Sequence, residues 1–121
     1  MKSIPWRHIF AALIAAFFVL GGTMNIFASE QIQADYTRWG YPGWFHYLTG
    51  ILEWTAAVLI ALPATRLIGS LLAAGVMASA AGTVLLNGEF SHAIAPLIVL
   101  VIVAINFWVT WRANNRLAAT A

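Results

Sequence analysis

Four apolar segments, each about as long as a membrane is thick, make up most of this chain of 121 residues. They span approximately residues 6–28, 44–62, 66–86 and 91–111. A helix needs about 20 apolar residues to cross the hydrocarbon core of a bilayer. Only 8% of the residues are charged, whereas soluble domains carry about a quarter. We therefore predict an all-α integral membrane protein that folds as one transmembrane domain over residues 1–121.

The connections between these segments predict their arrangement. The link over residues 62–66 is tight, and Asn87-Gly88 is a turn signal between the third and fourth segments. Short links join helices that run antiparallel, so we predict a four-helix bundle with up-down topology. Residues 29–43 are polar and aromatic and contain two glycines and a proline, which predicts an outer loop.

The basic residues predict the orientation of this bundle. With the N-terminus inside, the cytoplasmic side holds Lys2, Arg7, Arg66, Arg112 and Arg116, and the opposite side holds only Arg38. Cytoplasmic loops carry an excess of Lys and Arg, so we expect both termini in the cytoplasm. The first apolar run, residues 9–28, is longer than the core of a usual signal peptide. We therefore expect this segment to be a retained helix.

Several chemistries are not expected. The chain has no cysteine, which excludes thiol catalysis and thiolate metal sites. His8, His46 and His92 lie far apart in the sequence, without the short spacings of metal-binding helices, so no metal site is predicted. The basic residues do not cluster, so nucleic acid is not an expected partner. The lipid bilayer is the expected partner, and the sequence identifies no cofactor.

Glu53 is the most informative polar residue. It lies about ten residues into the second segment, which at 1.5 Å per residue places it about 13 Å from the outer end, near the bilayer midplane. An ionised carboxylate at that depth costs at least about 2.5 kcal/mol unless it is paired or hydrated. Glu53 must therefore face the bundle interior, be protonated or accept a hydrogen bond. A structural hydrogen bond between helices is the alternative to a functional role.

The other polar residues within the segments concentrate in the outer half. Thr49 and His46 lie one and two turns, respectively, before Glu53 on the same helix face. The remaining candidates are Thr23, Asn25, Thr83, Asn87 and His92. The inner half contains only Ser70 and Asn106. This asymmetry predicts a cavity that opens outward, with Glu53 at its floor. A histidine among lipid head groups is an equally good interpretation of His46.

Three further features are interpreted as structural. Aromatic residues near the segment ends are expected to be interfacial anchors: Trp6, Trp39, Tyr41, Trp44, Trp108 and Trp111. The third segment is rich in small residues, among them Gly69, Gly75, Ser79 and Gly82, which predicts a central packing helix. Glu89 is expected to be a solvated loop charge.

A series of short motifs resembles a known family across nearly the whole chain. The motifs lie at residues 21–26, 41–44, 49–53, 61–63, 77–81 and 87–89 and at Pro96. The most specific is the Thr-Gly-x-x-Glu stretch at 49–53, followed about ten residues later by Leu-Pro. In this order the motifs resemble the DoxX-like family of small four-helix membrane proteins. The family pattern often has Lys-Leu where this chain has Asn25-Ile26, so Asn25 can bind Glu53 but cannot neutralise it.

The resemblance implies a bacterial-type inner membrane, and the family takes its name from a membrane subunit associated with thiosulfate:quinone oxidoreduction. Three functions are compatible with the residues. The first is binding of a small lipophilic or quinone-like ligand by Glu53, with the other outer-half polar residues lining the approach. The second is an acid/base isomerase or hydrolase that acts on an apolar substrate, with Glu53 as acid/base and His46 or Asn25 orienting it. The third is an accessory subunit of a membrane oxidoreductase complex. A homo-oligomer or another protein partner is compatible with each.

Overall fold

The computed structural model describes residues 5–120, and within this range the protein is all-α without a β-strand. The helices are α1 (Trp6–Ile26), α2 (Glu30–Arg38), α3 (Phe45–Ala61), α4 (Arg66–Leu86) and α5 (Ile94–Thr120), with 3₁₀ turns at Pro63–Thr65 and Phe90–Ala93. Three spans, Trp6–Ile26, Pro63–Leu86 and Phe90–Ala119, are long and apolar enough to cross a membrane. The fourth apolar helix, α3, is shorter at 17 residues. Lys2 lies outside the described residues.

The main difference from the predicted elements is α2, which occupies part of the predicted outer loop. Ser29 begins this helix, because its side-chain oxygen accepts a hydrogen bond from the Ile32 backbone N–H at 3.2 Å. Glu30 in the first turn and Arg38 in the last turn complement the helix dipole. None of the residues of α2 is fully buried, so this helix lies on the surface of the other four.

The last helix is also longer than predicted. It continues past residue 111 to Thr120, since residues 112–119 contain no glycine or proline and Ala113 is buried. The first helix ends two residues before the predicted boundary, at Ile26. The third apolar segment has the predicted bounds, Arg66–Leu86.

Arg66 joins three helices at the end of the molecule that carries both chain termini, which we call the terminal end. Its guanidinium donates to the carbonyl oxygens of Ile60 at 2.7 Å and Ala61 at 3.1 Å, which satisfies acceptors at the C-terminus of α3. A third nitrogen lies 3.1 Å from His8 Nδ1 on α1. The opposite end, where α2 lies, is the α2 end.

The apolar core lies on the terminal side of Glu53, where α1, α3, α4 and α5 meet. It consists of Ala11, Ile14, Ala15, Phe18, Ala56, Ala57, Ile60, Ala73, Met77 and Val103. Toward the α2 end, α1 and α3 cross with their backbones in contact. A Cβ atom on Gly22 would lie 2.9 Å from the Gly50 carbonyl oxygen. This close approach brings the side chains that follow Gly22 within reach of α3.

The small residues of α4 have two different roles. A Cβ on Gly69 would lie 2.7 Å from the Ile60 backbone nitrogen, so here the predicted close helix packing is present. Gly75 and Gly82 would meet nothing within 4 Å, so the prediction of a packing face is wrong at these two positions. Their small size leaves open space beside α4. Ser70 and Asn106 are both buried, and Asn106 Nδ2 donates to Ser70 Oγ at 2.9 Å, which links α4 to α5.

Candidate functional site

A cavity of about 720 Å³ lies at the α2 end, and all five helices contribute to its wall. We call it the outer cavity. Most of its lining is apolar, from residues such as Leu52, Leu72, Val76 and Val99. Its polar lining residues are Asn25, Asp35, Tyr36, Trp39, Tyr41, Thr49, Glu53, Ser79, Thr83 and His92. Polar residues predicted to lie in the outer half, such as Asn25, Thr49 and Thr83, therefore line a cavity in the structure.

Glu53 lines this cavity from the middle of α3, and only 6% of its surface is exposed. Its Oε2 atom accepts a hydrogen bond from Asn25 Nδ2 at 3.1 Å. Gly21 leaves room for the carboxyl group, since a Cβ at that position would lie 3.0 Å from Oε2. Within residues 5–120 no donor is bound to the second oxygen, Oε1. One carboxyl oxygen is thus held by the protein, and the other has no protein donor.

Asn25 connects α1, α2 and α3. Its Nδ2 atom donates both to Glu53 Oε2 and to the Gly21 carbonyl oxygen at 3.1 Å, and both acceptors require the amide nitrogen on that side. Its Oδ1 atom accepts from the Tyr36 hydroxyl at 2.8 Å. The Asn25 carbonyl oxygen lies 2.7 Å from His46 Nδ1. Because a carbonyl only accepts, this nitrogen of His46 carries a hydrogen.

Aromatic side chains form the part of the wall next to α2. The Tyr41 and Phe45 rings are stacked with centroids 4.2 Å apart, and Tyr36 lies against both. Thr83 Oγ1 donates to the Ser79 carbonyl oxygen at 2.8 Å, so the Tyr41 hydroxyl is the donor in its 2.5 Å contact with Thr83. Burial raises the pKa of the Tyr36 hydroxyl above its usual range, so ionisation of this donor is further disfavoured.

Glu89 anchors α2 from the connection between α4 and α5. Both of its oxygens bind the Arg38 guanidinium, at 2.8 and 3.1 Å, and Trp39 Nε1 donates to it at 2.8 Å. His92 Nδ1 lies 3.3 Å away. Arg38 also binds Asp35 at 2.8 Å. The hydrogen bonds from Arg38 and Trp39 hold the pKa of the Glu89 carboxyl below its usual range. Glu89 is thus a partly exposed charge in the connection, as predicted, and it is also paired with Arg38.

The structure brings five of the eight predicted site residues to the outer cavity: Asn25, Thr49, Glu53, Thr83 and His92. The other three lie outside its wall. His46 is buried, and its Nδ1 is hydrogen-bonded to the Asn25 carbonyl oxygen. Thr23 accepts from Trp54 Nε1 at 3.2 Å between α1 and α3, and Asn87 is exposed and donates to the Thr83 carbonyl oxygen.

Sequence reasoning missed the aromatic wall. Trp39 and Tyr41 were expected to be membrane anchors, and Tyr36 was assigned only to an outer loop. A signal for α2 is present in the sequence: Ser29, then Glu30, with Arg38 one helix length later, is a start-and-stop pattern. Tyr36 and Trp39 are three apart and therefore share a face of that helix.

The part of the chain that the structure describes contains no group of three or more His, Asp or Glu side chains placed to hold a metal ion. A model of the DoxX-like family matches residues 9–106. This range includes every polar residue of the outer cavity wall. Comparisons with curated proteins and with solved structures give no significant match.

Proposed function

The chain belongs to the DoxX-like family of membrane proteins, and we propose on this premise that its outer cavity binds a small lipophilic molecule with one polar end, such as a quinone. The observation that carries the proposal is the burial and hydrogen bonding of the Glu53 carboxyl group. Its carboxyl group is buried, one oxygen is oriented by Asn25, and no donor from residues 5–120 binds the other oxygen. This carboxyl group faces a cavity whose wall is mostly apolar.

The cavity has the dimensions and lining of a small-molecule site. Pockets for such ligands measure roughly 300–1,000 Å³ and combine an apolar wall with a few placed polar groups. The outer cavity, at about 720 Å³, lies within this range. A carboxyl group donates to a carbonyl when protonated and accepts from a hydroxyl when ionised. Glu53 therefore suits a ligand that alternates between quinone and quinol. A quinone carbonyl accepts a hydrogen bond from the protonated carboxyl group, and a quinol hydroxyl donates one to the carboxylate.

The proposal includes a membrane arrangement. We infer an up-down four-helix bundle of α1, α3, α4 and α5 in a bacterial-type inner membrane, with both termini in the cytoplasm. Four arginines support this orientation, since Arg7, Arg66, Arg112 and Arg116 belong to the terminal end, while Arg38 at the α2 end is paired with acids. At about 1.5 Å per residue α3 is about 25 Å long, close to the hydrocarbon thickness. The ligand then enters from the outer leaflet or the outer surface.

The experiment is a binding titration of the purified protein with a short-chain benzoquinone such as decylubiquinone, followed by quenching of tryptophan fluorescence. Trp39 lines the cavity, so occupancy should quench part of the emission. We expect saturable quenching for the unaltered protein and loss of saturation for Glu53→Ala. Glu30→Gln removes an exposed acid outside the cavity wall and should bind normally. Saturable quenching by Glu53→Ala equal to that of the unaltered protein would overturn the proposal.

One observation favours acid/base catalysis as a second candidate. Asn25 orients Glu53, as an isomerase acting on an apolar substrate would require. His46 is hydrogen-bonded to the Asn25 backbone carbonyl, which favours Asn25 over His46 as the orienting residue. A Glu53-dependent limb in the pH–rate profile of a turned-over substrate would support catalysis. Docking of a partner through residues 36–44 is less favoured, since Tyr36 and Tyr41 are hydrogen-bonded within the fold.

A further inference from the structure

A second cavity, of about 820 Å³, opens between α1 and α5 at the terminal end. We call it the α1–α5 groove. Arg7 and Phe10 belong to its α1 wall, and Val109 and Arg116 belong to its α5 wall. It shares no lining residue with the outer cavity. We propose that the α1–α5 groove binds an anionic phospholipid, with the phosphate at the two arginines and an acyl chain along the apolar wall.

The charge of the groove favours an anionic ligand. Arg7 and Arg116 contribute from different helices, and within residues 5–120 neither forms a hydrogen bond or an ion pair. Arg7 also lies close enough to the buried Arg66 to repel its guanidinium. All four acidic side chains of the protein, Glu30, Asp35, Glu53 and Glu89, belong to the α2 end or the middle of the molecule. The arginines of the groove therefore have no carboxylate side chain within reach.

A phosphate group is such an anion. Guanidinium groups bind phosphate oxygens with paired, charge-assisted hydrogen bonds. Basic pockets between transmembrane helices at the cytoplasmic side are a recurring form of site for anionic lipid head groups. Arg112 lies at the same end but does not line the groove. Its guanidinium carbon lies 5.0 Å from the centroid of the Trp108 ring, so Arg112 serves as a control for the two groove arginines.

The apolar wall indicates an amphiphile and not a free anion. Leu13 lies six residues beyond Arg7, about 9 Å deeper along α1, and Ile105 lies eleven residues before Arg116, about 16 Å deeper along α5. The wall thus continues from the arginines toward the middle of the helices. Contacts between α1 and α5 are sparse compared with those between α1 and α3, α3 and α4, or α4 and α5, so the groove opens laterally, where a lipid chain lies.

The test is native mass spectrometry of the full chain released from nanodiscs that contain equal amounts of phosphatidylglycerol and phosphatidylcholine. We expect retention of phosphatidylglycerol in preference to phosphatidylcholine by the unaltered protein. The double variant Arg7→Gln/Arg116→Gln should lose this preference by about 30-fold, the change expected for two basic side chains near anionic lipid. Arg112→Gln should retain it. Equal loss in Arg112→Gln and in the double variant would overturn the proposal, as would equal retention of the two lipids by the unaltered protein.

Two further arms separate a lipid from a free anion and from an effect on folding. Leu13→Trp narrows the groove while both arginines remain, so it should reduce lipid retention. Leu20→Trp changes an equally exposed leucine of α1 outside both cavities and should not. Inorganic phosphate at millimolar concentration should leave the lipid bound. Displacement of the lipid by phosphate, or equal retention by the two tryptophan variants, would contradict an acyl chain in the groove.

Discussion

Asn25 holds the geometry of the outer cavity at the scale of a single residue. Its amide and its backbone carbonyl are bonded to groups on α1, α2 and α3: the Gly21 carbonyl, the Tyr36 hydroxyl, Glu53 and His46. An aspartate here would place two carboxyl groups side by side, and a leucine would leave the buried Glu53 without a partner. The carboxyl group of Glu53 is therefore oriented by a neutral residue, which adds no charge beside it.

Replacement of Asn25 tests this role. Asn25→Ala removes the donor to Glu53 and the acceptor of Tyr36, so we expect a loss of about 1–2 kcal/mol in the free energy of unfolding and weaker quinone binding. The measurement is reversible unfolding in mixed detergent micelles, followed by circular dichroism. Asn115→Ala, an exposed site on α5, should change stability by less than about 0.5 kcal/mol. If both variants are equally stable and bind equally well, Asn25 does not organise the site.

The residues of the site differ in how far the sequence predicts them. Glu53 and Asn25 are predictable, because a polar side chain deep in an apolar segment must find a partner inside the protein. Tyr36 and Tyr41 are not, since their contribution to the wall depends on how residues 29–43 fold back over the helices. The sequence spacing places His46 on the same helix face as Glu53, yet the His46 ring is hydrogen-bonded to a backbone carbonyl of α1.

At the scale of an element, α2 is the part of the molecule most dependent on polar contacts. It has no fully buried residue. It is attached to the rest of the protein by polar contacts, in which Tyr36 donates to Asn25, and both Arg38 and the adjoining Trp39 donate to Glu89. Long apolar helices can be recognised from their composition, so the boundaries of α1 and α4 are predicted to within two residues. A nine-residue amphipathic helix beside glycine and proline has no such signal in its composition.

The attachment of α2 should depend on pH in a defined direction. Arg38 and Trp39 hold the pKa of Glu89 below its usual range, so this contact is fully present above the ordinary glutamate pKa of about 4.3 and is lost as the pH falls through the lower folded value. The indole N–H resonance of Trp39, assigned with Trp39→Phe, reports this titration by NMR. We expect a single transition with a midpoint below about 4.3. A midpoint at or above that value would show that Glu89 is not held by Arg38.

At the scale of the whole molecule, the charged residues and the cavities are both distributed along the direction from the terminal end to the α2 end. The acidic side chains belong to the middle and the α2 end, around the outer cavity, and four arginines belong to the terminal end, where two of them line the α1–α5 groove. The outward skew of polar residues was predictable from the sequence. The α1–α5 groove was not, because it depends on how sparsely the first and last helices touch.

The measurement that tests the central claim most directly is photolabelling of the protein in nanodiscs with a short-chain azidobenzoquinone, followed by peptide mapping. We predict that the label attaches to residues of the outer cavity wall, such as Met24, Tyr36 and Met77, that excess decylubiquinone competes with it, and that Glu53→Ala abolishes it. Label confined to lipid-facing residues such as Leu71 and Ile98, or label at the cavity wall unchanged by Glu53→Ala, would contradict a ligand site organised by Glu53.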